Sequence, residues 1–185
     1  MKQIIRLKIS NFSTAGFTLI ELLFYVSAAI LISVSLIGFG LLAIRTGTKI
    51  KATSAILNNA RHLTEVLNYE IKKSYGLYIP TSSFENSPGQ ISLKQRSSET
   101  AGESSSFVDF YLCNDALCLK RDGKDSLAIT NDQVKVTYLK FTPIYNSPSQ
   151  PAIRFEVHLE AKQNYFISLP ASTLKIITTA NLRGY

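Results

Sequence analysis

Residues that bind metals or carry out chemistry are scarce in this chain of 185 residues, which holds two cysteines, Cys113 and Cys118, and two histidines, His62 and His158. A structural zinc site takes four such ligands in tetrahedral array, and the two histidines stand in distant segments, so the set fits zinc poorly. There is no HExxH motif, no Cys-His nucleophile arrangement and no glycine-rich phosphate loop. No catalytic residue, metal or cofactor is therefore expected, and both histidines read as surface residues. Charge is missing too. Residues 17–44, 28 in number, contain no Lys, Arg, Asp or Pro, and their one charged side chain is Glu21.

As a helix that segment would be roughly 42 Å long. A bilayer core of about 30 Å is easily crossed by it. A carboxylate at the membrane centre costs on the order of 2.5 to 3.5 kcal/mol, less near the interface, so Glu21 asks for a partner of opposite charge. The competing reading is that it snorkels to the interface. Lys2, Arg6 and Lys8 precede the span and favour a cytoplasmic N-terminus, whereas Arg45, Lys49 and Lys51 follow it and weigh the other way. The three leading cations are part of a formal charge of +7, which leaves +4 beyond Gly16. A secretory signal peptide fits less well: its apolar region is about 7 to 15 residues long with the small cleavage residue after it, and here Gly16 comes before a longer run.

The letters Gly16-Phe17-Thr18-Leu19-Ile20-Glu21-Leu22, behind a short basic leader, resemble the start of the type IV prepilins and type II secretion pseudopilins. The resemblance extends to about Arg45. It implies that a prepilin peptidase on the cytoplasmic face cuts between Gly16 and Phe17, that Phe17 is then N-methylated, and that the N-terminal helix assembles with other pilin or pseudopilin subunits. It also implies a partner for Glu21: the amino group of Phe17 on a neighbour, which exists only after cleavage. The chain would be a non-enzymatic subunit of the inner membrane, N-terminus cytoplasmic and C-terminal domain outside, and then of a filament. Its ending, residues 173–185, is similar to the terminal strand of the larger minor pseudopilins of the J or W type. Gly38 falls where many major pilins carry a helix-breaking Pro. With Gly40 it marks either local unwinding, each Gly costing roughly 1 kcal/mol against Ala, or a close helix-packing point.

Beyond the span, Ile56, Ala60, Leu63, Leu67 and Ile71 recur at helical spacing, with Asn58, Arg61, Glu65, Asn68 and Lys72 between them. The apolar helix is expected to continue into this amphipathic one and to stop at residues 74–76, behind Lys72 and Lys73. Residues 80–102 read as loop, with at most a short strand at 91–94. Ile153, Phe155, Val157 and Leu159 alternate with Arg154, Glu156, His158 and Glu160, the period of a half-buried strand. Further strands are expected at 107–113, 117–120, 127–130, 134–141 and 174–178, and the short turns between them imply antiparallel pairing. The fold class is α+β: a long N-terminal helix, the second half of which packs on a C-terminal antiparallel sheet in the pilin-like manner. The chain divides into a leader at 1–16, a transmembrane and assembly helix at 17–45, its amphipathic continuation at 46–76, and a β-rich head at 77–185.

Cys113 and Cys118 flank an Asn-Asp turn, so a disulfide across the hairpin is one reading and two reduced, packed thiols the other. Asp122, Asp125, Asn131 and Asp132 cluster where their oxygens could meet Ca²⁺, but the spacing is not that of an EF-hand and turn chemistry explains the same letters. Lys120, Arg121 and Lys124 form the densest basic cluster away from the membrane flank. Asp122 and Asp125 interleave with it, which argues for a solvated surface over a phosphate track. A filament-displayed module that binds DNA or a surface ligand, and an uncleaved single-span protein, are the alternatives to a structural subunit.

Overall fold

The computed structural model describes residues 16–96, 105–145, 151–162 and 172–183. The leader up to Ala15 and the part of the expected loop at 97–102 lie outside the described residues. The chain forms two compact units, Met1–Arg45 and Thr46–Tyr185. One helix, α1 (Leu19–Lys73, 55 residues), belongs to both.

In the first unit the apolar side chains of α1 are exposed on every face of the helix. A helix of that kind belongs in a membrane or a large core. Among the described residues α1 is the one helix long and apolar enough to cross a bilayer. Gly38 and Gly40 are both helical, and no neighbouring group lies within 4 Å of a Cβ built at either. Both expectations for them, unwinding on assembly and a packing point between helices, concern contacts with other subunits, and within this chain the two positions are simply helical and open.

The second unit holds two antiparallel sheets rather than the one expected. The first has the order β1 (Gly76–Leu77), β2 (Ile91–Arg96), β3 (Ser105–Cys113), β4 (Ala116–Arg121), β5 (Leu127–Ala128); the second has β6 (Val134–Ile144), β7 (Ala152–Ala161), β8 (Thr173–Asn181). The first sheet stops at β5, which is shorter than the expected 127–130. There Leu117 N donates to the Thr130 hydroxyl at 3.1 Å, so a side chain replaces the next backbone acceptor and the ladder ends. The far edge of β6 is then occupied by turns instead of a strand. Asp115 O accepts from Val136 N at 2.7 Å, while Glu85 N and Gly89 N donate to Phe141 O at 3.0 Å and Leu139 O at 2.8 Å. Gly89 is required by this approach, because a Cβ there would sit 3.1 Å from Asn86 O and 3.2 Å from Leu139 O.

Other boundaries move for local reasons. The helix ends at Lys73, and Gly76 already belongs to β1, opposite Lys94, so the helical continuation does not reach residue 76. Residues 80–96 contain more order than a loop: a 3-10 turn at Ile79–Thr81 and a six-residue β2. β6 runs past residue 141 through Pro143, which an edge strand tolerates because its missing N–H costs no ladder bond. A bulge between Val136 and Tyr138 changes the alternation, so that Val136 and Leu139 both turn inward.

The core forms between α1 and the sheets. Ile56, Ala60, Leu63, Leu67 and Ile71, the stripe read from helical spacing, are all buried, as are Ile153, Phe155, Val157 and Leu159 of β7. Leu93, Val108, Phe110, Leu119, Val136 and Phe141 belong to the same cluster, and every buried apolar residue among the described residues lies within the second unit.

Candidate functional site

The segment carrying the prepilin-like letters lies at the head of α1. Gly16, Phe17 and Thr18 precede the helix and are exposed. Thr18 takes the position before the first helical residue: its hydroxyl accepts from Glu21 N at 3.4 Å and its carbonyl from Leu22 N at 3.1 Å. Thr-x-x-Glu is the order of a capping box, and a carboxylate in the first turn is also favoured by the helix dipole. The Glu21 side chain is exposed, and among the described residues no cation forms an ion pair with it. The Phe17 ring meets the edge of the Tyr25 ring at 6.0 Å and remains 72% exposed. The Gly16–Phe17 bond thus lies in an exposed, non-helical stretch, one residue before the helix is capped.

Cys113 and Cys118 are joined as a disulfide, with Cα atoms 5.9 Å apart. The turn between β3 and β4 consists of Asn114 and Asp115, at φ of 47° and 64°. Positive φ at both central residues is the type I′ hairpin, in which Asn and Asp are tolerated. Its register pairs Cys113 with Ala116 and Tyr111 with Cys118, so the two sulfurs meet along the diagonal of one sheet face, not directly opposite each other.

The acidic loop does not gather into a metal site. Among the described residues no three His, Cys, Asp or Glu side chains come together. Asp122 Oδ2 accepts from Phe107 N at 3.0 Å across the end of the β3–β4 pair, and Asn131 Oδ1 accepts from Gln133 N at 3.1 Å, which is turn chemistry. The basic cluster is also divided. Arg121 turns inward to Glu70, while Lys120 faces outward from β4. His62 is exposed on α1; His158 stacks on Tyr138 with ring centroids at 4.7 Å and bonds Glu156 Oε1 at 2.9 Å. Hydrogen bonds from Lys175 and then His158 hold the Glu156 carboxyl below its ordinary value, and Lys140 does the same for Glu85.

Two polar clusters escaped the sequence reading. Glu70, 2% exposed in its side chain, accepts from Arg121 Nη2 at 2.5 Å and from Gln95 Nε2 at 2.7 Å. Gln95 is itself buried. Asn59 donates to Asn131 Oδ1 at 3.1 Å and accepts from Asn131 N at 2.9 Å, a reciprocal clasp between helix and loop. Both helical residues are in phase with the apolar stripe, Asn59 three after Ile56 and Glu70 three after Leu67. That phase was the available signal, and their polarity concealed it. Comparison with family models, with curated proteins and with solved structures finds no match.

Proposed function

We propose that this chain is a structural, non-enzymatic subunit, a minor pilin or pseudopilin, that enters the inner membrane with its N-terminus cytoplasmic, is cut between Gly16 and Phe17, and joins or primes a type IV pilus or type II secretion pseudopilus. The observation that supports the reading is a lone carboxylate, Glu21, exposed in the first turn of α1, four residues after Phe17, where the apolar side chains of the helix up to Ile44 are exposed. In hydrocarbon such a charge needs an opposite one, and the span supplies none. Cleavage creates one: the freed ammonium of Phe17 on a neighbouring subunit, beside which the same apolar surface of α1 can pack. Partners are then a prepilin peptidase first and other filament subunits afterwards. The decisive measurement is the intact mass of the protein extracted from membranes of cells that contain the peptidase. Loss of residues 1–16 with one added methyl group is the expected result, and recovery of the full precursor would leave an uncleaved single-span protein instead.

A further inference from the structure

Among the described residues, three of the four sheet edges are blunted and one is open. The first sheet ends in strands of two residues each, β1 and β5. The outer edge of β6 is covered by backbone bonds from Val136, Glu85 and Gly89, as described above. β8 is the other edge of the second sheet and runs for nine residues without a Pro or a bulge. Long unprotected edges are usually avoided because they offer a template for another strand.

The hydrogen-bond phase of β8 can be read from its ends. Ala161 N donates to Ser172 O at 3.2 Å and Leu182 N to Pro151 O at 3.1 Å, and these are the pairs that continue the β7–β8 register. In an antiparallel ladder, residues alternate between those that exchange both bonds with the partner and those that point away. The even-numbered residues of β8 therefore face β7. Thr173, Lys175, Ile177, Thr179 and Asn181 direct their N–H and C=O groups outward, and among the described residues no backbone group meets them. Side chains of the same five residues lie on the solvent face of the sheet, where Ile177, 54% exposed, is the exposed apolar residue at the middle of the strand. On the inner face Leu174 and Ile176 are only partly buried, and among the described residues no further strand lies beside them.

We propose that β8 is a docking edge for an extended segment of another protein, which pairs antiparallel with residues 173–181 and adds a fourth strand to the second sheet. The pattern dictates the chemistry of that segment. Apolar side chains at alternate positions would cover Leu174 and Ile176, an apolar residue would face Ile177, and a carboxylate would face Lys175, which now shares Glu156 with His158. This is recognition by strand addition, in which main-chain bonds supply affinity and alternate side chains supply selectivity. It does not depend on cleavage at Gly16.

The test uses the intact chain in detergent and a fluorescent nine-residue peptide, Thr-Val-Thr-Val-Ile-Val-Glu-Val-Thr, whose Glu falls opposite Lys175. Saturable binding is expected. Ile177→Pro should weaken it at least tenfold while circular dichroism and thermal midpoint stay as in the parent, because the N–H that is removed points away from β7. Lys175→Glu should reverse the preference between this peptide and one with Lys in place of Glu. Absence of binding, equal binding to the folded Ile177→Pro chain, or no reversal by Lys175→Glu would overturn the proposal. A stable homodimer abolished by Ile177→Pro would overturn it as well, since the edge would then belong to a second copy.

Discussion

Replacing Arg121 by Met isolates the buried carboxylate of Glu70 without emptying the space beside it. In the parent that carboxylate, 2% exposed, holds two strong contacts, Arg121 Nη2 at 2.5 Å and Gln95 Nε2 at 2.7 Å. Breaking a fully buried pair typically costs about 3–5 kcal/mol. The Arg121 side chain is 46% exposed, so solvent screens part of its attraction and that range is an upper bound. A hydrogen bond to a charged group contributes about 1.5–3 kcal/mol, and one such bond remains through Gln95. Arg121→Met should therefore destabilise by about 2 kcal/mol. At this size each kcal/mol lowers Tm by roughly 2–4 °C, so the midpoint should fall by about 4–8 °C. The purified second unit, Thr46–Tyr185, encloses the whole described core and is the sample for urea and thermal unfolding followed by circular dichroism. Glu70→Gln removes the charge but keeps the shape, so the double variant should recover part of the loss, with a coupling of about 1 kcal/mol or more. If Arg121→Met costs less than about 0.5 kcal/mol, the contact is an ordinary surface pair and the account of how β4 is held to α1 is wrong.

Four further variants probe other parts of the molecule. The disulfide closes a short loop, so Cys113→Ser with Cys118→Ser should lower stability by about 2 kcal/mol, and the unfolded, unreduced parent should show no thiol that reacts with an alkylating agent. Glu85 and Glu156 are held below the usual value of 4.5 by Lys140 and by Lys175 with His158, so their contribution to stability is present above about pH 4.5 and is lost as the pH falls through their folded values. Glu156→Gln should make the acid limb of a stability–pH curve shallower, and an unchanged limb would show that these exposed ion pairs are too weak to matter. Glu21→Ala should insert in the membrane and be processed normally yet be depleted from sheared filaments, whereas Gly16→Val should accumulate as precursor in a peptidase assay; normal incorporation of the first or normal cleavage of the second contradicts the proposed role.

Much of this architecture is written in local periodicity. The apolar half of α1 is legible because 28 residues without Lys, Arg, Asp or Pro are long and apolar enough to cross a bilayer, and Glu21 stands out because it interrupts them. The helical stripe and β7 are legible because burial on one face demands a period of 3.6 or 2, and both patterns are clean. Asn114-Asp115 announces its hairpin through two residues that tolerate positive φ. Tertiary structure alone decided what lies between distant segments. The division into two sheets depends on Thr130 ending one ladder and on residues 85–89 occupying the edge of β6, neither of which has a local signature. Glu70 and Asn59 look like solvent-facing residues until Arg121, Gln95 and Asn131 are brought to them from 25 to 72 positions away. That β8 pairs on one side only among the described residues is likewise a property of the sheet, because pairing depends on which other segments the fold brings alongside a strand.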